Sequence, residues 1–497
     1  MSSKSIPPSA VAPLRRLDDA TLSQLPDSVR VPAYDRAATR IGIVHLGAGA
    51  FHRAHQAVYI DDLLAMDPTW AICAVSLNRP DVRDALRPQD GLYTVALLEE
   101  PPVYRVIGAI REVLCAVDEG ERVLARLADP HVRLVTLTVT EKGYCFASDG
   151  LDTAHPDIVH DLAQPEHPRT AIGYLVAGLR LRWQGDAAPF TVLSCDNLAD
   201  NGGRLRRATL QYAAQIDPVL TGWIEAHVQF PSSMVDSITP GTDDALRARV
   251  ASALGVQDAW PVQRETYTQW VVEDALGDHG PDLQRVGVTM TLQVSGHDRA
   301  KLRLLNAPHS AMAYLGSLLG LETVAEAMRH PALSAFIEVL MRAHIAPNAE
   351  LPAELDADAY IGAILARFAN PLVRHRLAQV AQDGSQKIPV RYAGTIAQAV
   401  RSGRSLDVLC LPVAGWMHFV RRQAKGGIVM QDPLGDALTG VAARCTGDAA
   451  VDVPAFLALP EMVELAHGQV MEALQRTYAA LGAGEMGQVQ AALEAYR

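Results

Sequence analysis

The strongest constraint on the fold is an apolar run that ends in a glycine turn. The segment "RIGIVHLGAGAF" (40–51) is rich in β-branched residues, and the helix-compatible "HRAHQAVYIDDLLAM" follows it directly. Further strand-like runs are "WAICAVSL" (70–77), "VRLVTLTVT" (132–140) and "FTVLSCDNL" (190–198), each with helical stretches nearby. Strands that alternate with helices predict an α/β fold: an open, mostly parallel sheet with helices on both faces.

Changes of pattern divide the chain into three segments. Residues 1–39 begin with a Pro-rich stretch and are expected to form an N-terminal arm, and 40–295 are expected to form the α/β domain. Within that domain, 91–114 predict an inserted β-ribbon and 286–294 a last strand. Residues 296–497 contain long 3.6-period stretches (310–328, 332–345, 354–368 and 464–482), which predict a mostly α-helical C-terminal domain.

Charge and cysteine content exclude several classes of protein. The net charge of -12 argues against binding to nucleic acid or to an anionic membrane, although a few local cations can hold an anionic small molecule. No segment is apolar for long enough to predict a membrane span, and the N-terminus lacks the apolar core of a signal peptide. Six cysteines without a CxxC pair indicate reduced thiols. We expect a cytoplasmic enzyme; the oligomeric state stays open.

The glycine turn predicts a dinucleotide site. Gly47 and Gly49 match the first two glycines of the dinucleotide-binding fingerprint, which allow a tight turn and a close approach of the backbone to a pyrophosphate. His52 takes the third place. We assign Phe51 and Arg53 to the same cofactor-binding turn.

The end of the second strand leaves the choice of dinucleotide open. An acidic residue there would bind the ribose hydroxyls of NAD, yet the strand is followed by Asn78, Arg79, Pro80 and Asp81. Arg79 would suit the 2′-phosphate of NADP, whereas Asn78 and Asp81 can still reach the ribose. His52, Arg53 and His55 also raise the alternative of a metal site, but no acidic or cysteine partner set follows them, so we predict no metal.

The segment "KLRLLNAPHS" (301–310) combines helix-forming leucines with polar side chains. On a regular helix, Asn306 lies about 140° and His309 about 80° around the axis from Lys301, so that all three share one broad face. Pro308 predicts a kink. A buried lysine can accept a hydroxyl proton, an amide can hold an alkoxide, and a histidine can bind an adjacent hydroxyl. The segment therefore predicts a catalytic face for oxidation of a secondary alcohol.

Four ordered motifs resemble the mannitol dehydrogenase family of long-chain, metal-independent polyol dehydrogenases. They are "IVHLGAGAFHRAHQ", "LSCDNL", "KLRLLNAPHSAMAYLG" and "DGSQKIPVR". The resemblance implies a Rossmann-like, doubly wound N-terminal domain, a helical C-terminal domain and a site in the cleft between them.

The same resemblance implies residue roles. Lys301 would be the general base, Asn197 and Asn306 the oxyanion donors, and His309 a ligand of substrate hydroxyls. Asp236 would lie near the lysine and the cofactor. Family members mostly use NAD, so we expect NAD, with NADP possible.

Two positions depart from the mannitol-type pattern. Asp298 stands where those enzymes have Glu, and Gln379 stands where they have Arg. The segment 378–391 instead resembles fructuronate reductases, and its Lys387 and Arg391 could bind a sugar-acid carboxylate unless they belong to a solvated basic loop. We therefore place D-mannonate/D-fructuronate slightly ahead of D-mannitol/D-fructose or another polyol such as arabinitol. A catalytically silent dinucleotide-binding regulator is a more remote alternative.

Overall fold

The computed structural model describes residues 14–147, 150–277 and 280–496. The chain divides into two compact units, Met1–Val294 and Ser295–Arg497. The first thirteen residues of the predicted N-terminal arm lie outside the described residues.

The first unit contains all the described strands. In chain order they are β1 Val29–Arg30, β2 Ile41–Leu46, β3 Ala71–Ser76, β4 Tyr93–Leu97, β5 Tyr104–Ile107, β6 Ile110–Cys115, β7 Leu134–Leu137, β8 Phe146–Ala147, β9 Gly150–Leu151, β10 Thr191–Ser194, β11 Ser233–Asp236, β12 Val262–Arg264, β13 Gln269–Glu273 and β14 Thr289–Thr291.

Its helices cover the sheets. They are α1 Ala50–Ala54, α2 Gln56–Leu63, α3 Asp81–Leu86, α4 Ala116–Ala128, α5 Thr140–Gly143, α6 Pro156–Ala163, α7 Ala171–Gln184, α8 Asn201–Ile216, α9 Pro218–His227 and α10 Asp244–Leu254.

The main sheet is five-stranded and entirely parallel, in the spatial order β10-β7-β2-β3-β6. Because β2 is first in the chain among these strands, the order reverses between β2 and β7, as in the doubly wound dinucleotide-binding fold. The predicted parallel sheet is confirmed.

Side chains that alternate along the central strands pack on opposite faces of this sheet. Val44 and Val75 belong to one apolar cluster, which includes residues of α4, α7 and α8. Ile43 and Ala74 belong to the other, which includes residues of α2. Helices therefore bury both faces, and this explains why the strands read as continuous apolar runs.

The predicted ribbon is correct only in part. β4 and β5 form an antiparallel pair in a four-stranded sheet of order β1-β5-β4-β12. Residues 110–115 instead form β6, which joins the parallel sheet. The predicted last strand is also shorter than 286–294, because Gly287 (φ +88°) ends a 3₁₀ turn before β14 and a helix begins at Val294.

The second unit is helical, as predicted. Its α-helices, the first of which begins at Val294, are α11 Val294–Ala300, α12 Ala307–Leu318, α13 Val324–Arg329, α14 Pro331–Val339, α15 Ala357–Ala369, α16 Leu377–Val380, α17 Gly384–Arg401, α18 Asp407–Lys425, α19 Gly435–Arg444, α20 Ala449–Leu457, α21 Gly468–Ala480 and α22 Met486–Ala495. Lys301–Asn306 and Leu340–Ile345 are π-helical.

The predicted stretch 310–328 is two helices rather than one. Gly320 adopts φ +78° just after α12, a conformation that ends a helix. Thr323 then begins α13 with a capping box that includes Glu326. Across the described residues, no helix combines the length and apolar character needed to cross a bilayer.

The guanidinium of Arg182 on α7 binds backbone carbonyls at the end of α4. Its guanidinium donates to the carbonyls of Leu127 (2.8 Å), Ala188 (3.0 Å), Asp129 (2.5 Å) and Val132 (2.6 Å). Burial lowers the pKa of Arg182 to about 10. The fork of five N–H donors, rather than charge alone, therefore matches these carbonyls.

We expect Arg182→Lys to lower the free energy of unfolding by about 2–4 kcal/mol, because one ammonium cannot reach four carbonyls and buried acceptors lose their donors. Urea unfolding followed by circular dichroism measures the change. Arg207→Lys is the matched control, since its side chain is 53% exposed and faces Asp200. Equal effects of the two substitutions would contradict the assignment.

Candidate active site

The glycine turn joins β2 to α1 and requires glycine at its first position. Gly47 adopts φ +97°, and a Cβ there would lie 2.1 Å from the carbonyl oxygen of Thr138. Its N–H donates to the carbonyl of Val75 (2.8 Å), so the turn is held against β3. A Cβ on Gly49 would meet nothing nearer than 3.8 Å, which leaves the space above the turn open.

A cleft of about 590 Å³ lies at the carboxyl ends of the parallel strands. Gly47, Gly49, Asn78 and Asp81, to which the sequence assigns a cofactor role, line it together with Arg79. This is the point where the strand order reverses, which is where ligands bind in open α/β sheets. The cleft also includes residues that the sequence did not indicate, from the segment 138–143 and from 169–171, and Trp260.

Phe51 and Arg53 are placed differently from the prediction. Neither is among the described residues that line the cleft. Phe51 stacks on His55 with ring centroids 5.0 Å apart. Arg53 is buried and donates from Nη1 to the carbonyl of Trp260 (2.7 Å). Because Trp260 lines the cleft, Arg53 supports the cleft wall instead of reaching into it.

His52, at the third place of the fingerprint, packs inside the first unit. Its ring stacks on His45 with centroids 3.3 Å apart, and burial holds the pKa of His52 well below its ordinary value. No group of three or more His, Cys, Asp or Glu within the described ranges is arranged to hold a metal ion.

Asn197 lies in the loop after β10, and two residues that the sequence analysis missed hold this loop. The carboxylate of Asp196 accepts from the N–H groups of Val139 (2.8 Å) and Thr140 (3.1 Å) and from the hydroxyl of Tyr144 (2.8 Å). Burial raises the pKa of Asp196. The sequence signal that could have indicated Asp196 is its position directly before Asn197 in the motif "LSCDNL".

Asn201 is the second of these residues. Its Nδ2 donates to the carbonyls of Ser194 (3.3 Å), Asp196 (3.1 Å) and Ser233 (2.8 Å), and its Oδ1 accepts from the N–H of Ser233 (3.0 Å). The side chain thus links the end of β10 to β11. Asp236, predicted near the cofactor, is the buried last residue of β11 and pairs with Gln269 of β13.

Lys301 begins the π-helical segment, so the prediction of a regular helix was wrong here. The N–H of Ala307 reaches back five residues to the carbonyl of Leu302, which widens the turn and changes the angles computed for an α-helix. Pro308 then falls in the first turn of α12, where its missing N–H is tolerated. A π-segment therefore directly precedes the proline at which the sequence predicts a kink.

Lys301 and Asp298 are close enough to affect each other's charge. Lys301 is 8% exposed. Burial raises the pKa of Asp298 to about 6, and the positive charges of Lys301 and Arg299 oppose that shift. A carboxylate therefore acts electrostatically on the lysine, despite the shorter side chain at position 298.

Asn306 and His309 stand on either side of the end of the π-segment. Arg391 donates from Nη1 to the carbonyl of Asn306 (2.9 Å) and to Oγ of Ser310 (2.7 Å). The Nε2 atom of His309 is buried and has no hydrogen-bond partner among the described residues. Burial holds the pKa of His309 well below its ordinary value, so that the ring is neutral.

Lys387 and Arg391 lie on α17, so the alternative of a solvated basic loop was wrong. Arg391 uses one guanidinium nitrogen to hold the end of the π-segment. Lys387 makes weaker contacts than Arg391: its Nζ lies 3.5 Å from the carbonyl of Val380 and 3.8 Å from the carboxylate of Asp383, and its side chain is 28% exposed. Burial and the charge of Arg391 lower the pKa of Lys387.

Residues 41–285 match the mannitol dehydrogenase Rossmann domain, and residues 293–481 match the mannitol dehydrogenase C-terminal domain. The dinucleotide-binding fold and the polar helical segment define an oxidoreductase, and the predicted class and fold are confirmed. The chain belongs to the mannitol dehydrogenase family.

Three known proteins illustrate the similarity. The chain is 41% identical over 422 residues to a D-mannonate oxidoreductase of Escherichia coli (strain K12), which covers 83% of this chain and 86% of that protein. A D-sorbitol dehydrogenase in substrate-free form superposes with a TM-score of 0.89 at 32% identity, over 96% of this chain and 100% of the other. Pseudomonas fluorescens mannitol 2-dehydrogenase, in a ternary complex with NAD and D-mannitol, has a TM-score of 0.78 at 35% identity, over 97% and 99%.

Proposed function

We propose that the protein is an NAD-dependent oxidoreductase that interconverts a secondary alcohol and a ketone of an open-chain sugar derivative. The observation that carries this proposal is the buried Lys301, which begins a π-segment and interacts electrostatically with Asp298. The complex of the Pseudomonas relative with NAD and D-mannitol supports the cofactor and the substrate type. π-Segments within helices often occur at functional sites.

The cleft beside Gly47 suits a dinucleotide. Its turn leaves no room for a side chain at Gly47 and open space above Gly49, which lets a pyrophosphate approach the backbone. Asn78 and Asp81 would bind the ribose, and Arg79 leaves NADP possible. When bound in this cleft, NAD would supply the hydride acceptor for oxidation of the carbinol carbon.

The chain's own residues handle the proton and the oxygen. Neutral Lys301 takes the hydroxyl proton, while the amides of Asn197 and Asn306 donate to the developing alkoxide. His309 binds a neighbouring hydroxyl through its buried Nε2. Arg391 holds Asn306 in place, and in this proposal it is therefore a positioning residue.

A sugar acid is the favoured substrate, with D-mannonate/D-fructuronate ahead of D-mannitol/D-fructose and arabinitol. The positive charges of Lys387, Arg391 and Arg367 all act on His309, which places cations around that side chain. Such an environment favours a carboxylate. The 41% identity to a D-mannonate oxidoreductase is compatible with a sugar acid.

We expect Lys301→Ala to reduce kcat by at least about a thousandfold, because the hydroxyl proton loses its acceptor, while NADH binding is nearly unchanged. Steady-state rates and NADH fluorescence titration measure the two quantities. Arg404→Ala, at an exposed basic residue of the same unit, is the control. Loss of NADH binding together with activity would instead assign Lys301 a structural role.

Asp298→Asn should move the acid limb of the pH profile for alcohol oxidation to lower pH by about one unit. Above its pKa of about 6, the carboxylate of Asp298 is ionised and favours the protonated form of Lys301. Its removal makes that ammonium easier to deprotonate. The dependence of kcat/KM on pH measures the shift, with Asp358→Asn at an exposed position as control. An unmoved profile would refute the electrostatic role.

Purified enzyme with NAD should oxidise D-mannonate with a higher kcat/KM than D-altronate, D-mannitol or D-arabinitol. Lys387→Met should lower kcat/KM for mannonate by at least about tenfold, because a charge-assisted hydrogen bond to the carboxylate is lost. Mannitol, which has no carboxylate, is the internal control for the same variant. Preference for mannitol would establish the alternative, and no turnover of any of the four would reject the proposed substrate class.

A further inference from the structure

A second polar cavity lies in the helical unit, formed by the end of α12, the last two turns of α18 and the turn from α21 to α22. Its volume is about 360 Å³. The cations Arg421, Arg422 and Lys425 line it, together with His418 and a single acidic residue, Glu485. We call it the α18 cavity.

Two of its cations have no carboxylate partner among the described residues. Arg422 donates from Nη1 to the backbone carbonyls of Ser317 (3.0 Å) and Leu318 (3.1 Å). Lys425 is exposed and forms no ion pair with any residue that the structure describes. The positive charge at the mouth of the α18 cavity therefore exceeds the negative charge of Glu485.

Arg421 adds a buried charge that is only partly compensated. The residue is 7% exposed, and its Nη1 donates to the hydroxyl of Tyr478 (2.5 Å) and lies 3.5 Å from Asp452. Asp452 also accepts from Tyr478 and from the N–H groups of Thr446 and Gly447. The Nε atom of Arg421 has no partner in the described part of the chain. A buried cation in this state is stabilised by a nearby anion.

The N-terminus of α22 supplies further donors. This ten-residue helix begins at Met486, which lines the cavity, and the side chain of Glu485 does not cap it. The N–H groups of Met486 and Gly487 have no hydrogen-bond partner within the described residues. These N–H groups and the positive end of the helix dipole favour an anion at this end.

His418 contributes an acceptor. Its Nε2 donates to the carbonyl of Tyr478 (3.1 Å), and burial lowers the pKa of His418 to about 4, so the ring is neutral at pH 7 with an unprotonated Nδ1. That atom would be 3.2 Å from a Cβ on Gly484, in the wall of the cavity. Several cationic donors with one acceptor match a phosphate group that carries a proton or an adjacent hydroxyl.

We propose that the α18 cavity binds a phosphate group, as inorganic phosphate or as a phosphomonoester of a small metabolite. It shares no residue with the proposed redox chemistry. One of its walls is the C-terminal end of α12, the helix whose first turn carries His309. Occupancy would stabilise the helical unit by linking α12, α18 and α22.

Isothermal titration of the full chain with inorganic phosphate, at constant ionic strength, tests the proposal. Lys425→Gln should weaken binding by about fivefold, and Glu485→Gln should strengthen it by a similar factor, since each changes one charge near the phosphate in opposite directions. The double variant Arg422→Gln/Lys425→Gln should weaken binding further. Arg404→Gln, which removes an exposed charge of the same unit outside the cavity, should change nothing.

The variants decide the outcome, because phosphate can also bind at the glycine turn of the first unit. Unchanged affinity in both Lys425→Gln and Glu485→Gln, or no saturable binding by the wild-type chain, would overturn the proposal. A parallel titration with glucose 6-phosphate separates the two sources of the group. Equal affinities for inorganic phosphate and glucose 6-phosphate indicate that the cavity recognises the phosphate group alone. Tighter binding of glucose 6-phosphate, if the double variant loses it, indicates a phosphorylated metabolite.

Discussion

The hydrogen bond from Arg391 to the carbonyl of Asn306 secures the segment on which the proposed chemistry depends. Lys301 begins the π-turn, Asn306 ends it, and His309 follows in the first turn of α12. The same nitrogen of Arg391 also donates to the hydroxyl of Ser310, so α17 is hydrogen-bonded to residues on both sides of the transition from π-helix to α-helix. A π-turn is intrinsically uncommon, and contacts with a neighbouring helix help to stabilise it.

The first unit uses the same device at the ends of its strands. Asn201 is buried and Asp196 is half-buried, and the partners of both side chains are mainly backbone groups of adjacent segments. Such groups are costly to bury unless they are satisfied, and once satisfied they hold a loop in a single conformation. The loop that carries Asn197 is held in this way.

Much of the fold could be predicted because its signals are local. The apolar run before Gly47 and the alternation of strands with helices led to the parallel sheet and its glycine turn. The π-segment could not be predicted, because the residue pattern of 301–310 fits the 3.6-residue period of a regular α-helix. The wider turn depends on Pro308 and on contacts with α17, which the pattern does not show. The contact of Arg53 could not be predicted for a similar reason: its partner, the carbonyl of Trp260, lies 207 residues away in the chain.

The sequence by itself determined the fold class, the glycine turn that only glycine can form, and the polar residues of the segment 301–310. The tertiary structure alone decided that Arg391 supports Asn306 and that Lys387 makes only long contacts with its neighbours. It also decided that residues near 320, 420 and 485 share one cavity. The physical reason is the distance along the chain over which each kind of interaction acts. Backbone propensities and hydrophobic periods act over a few residues, whereas the partner of a buried polar group is chosen by segments that pack together only after folding.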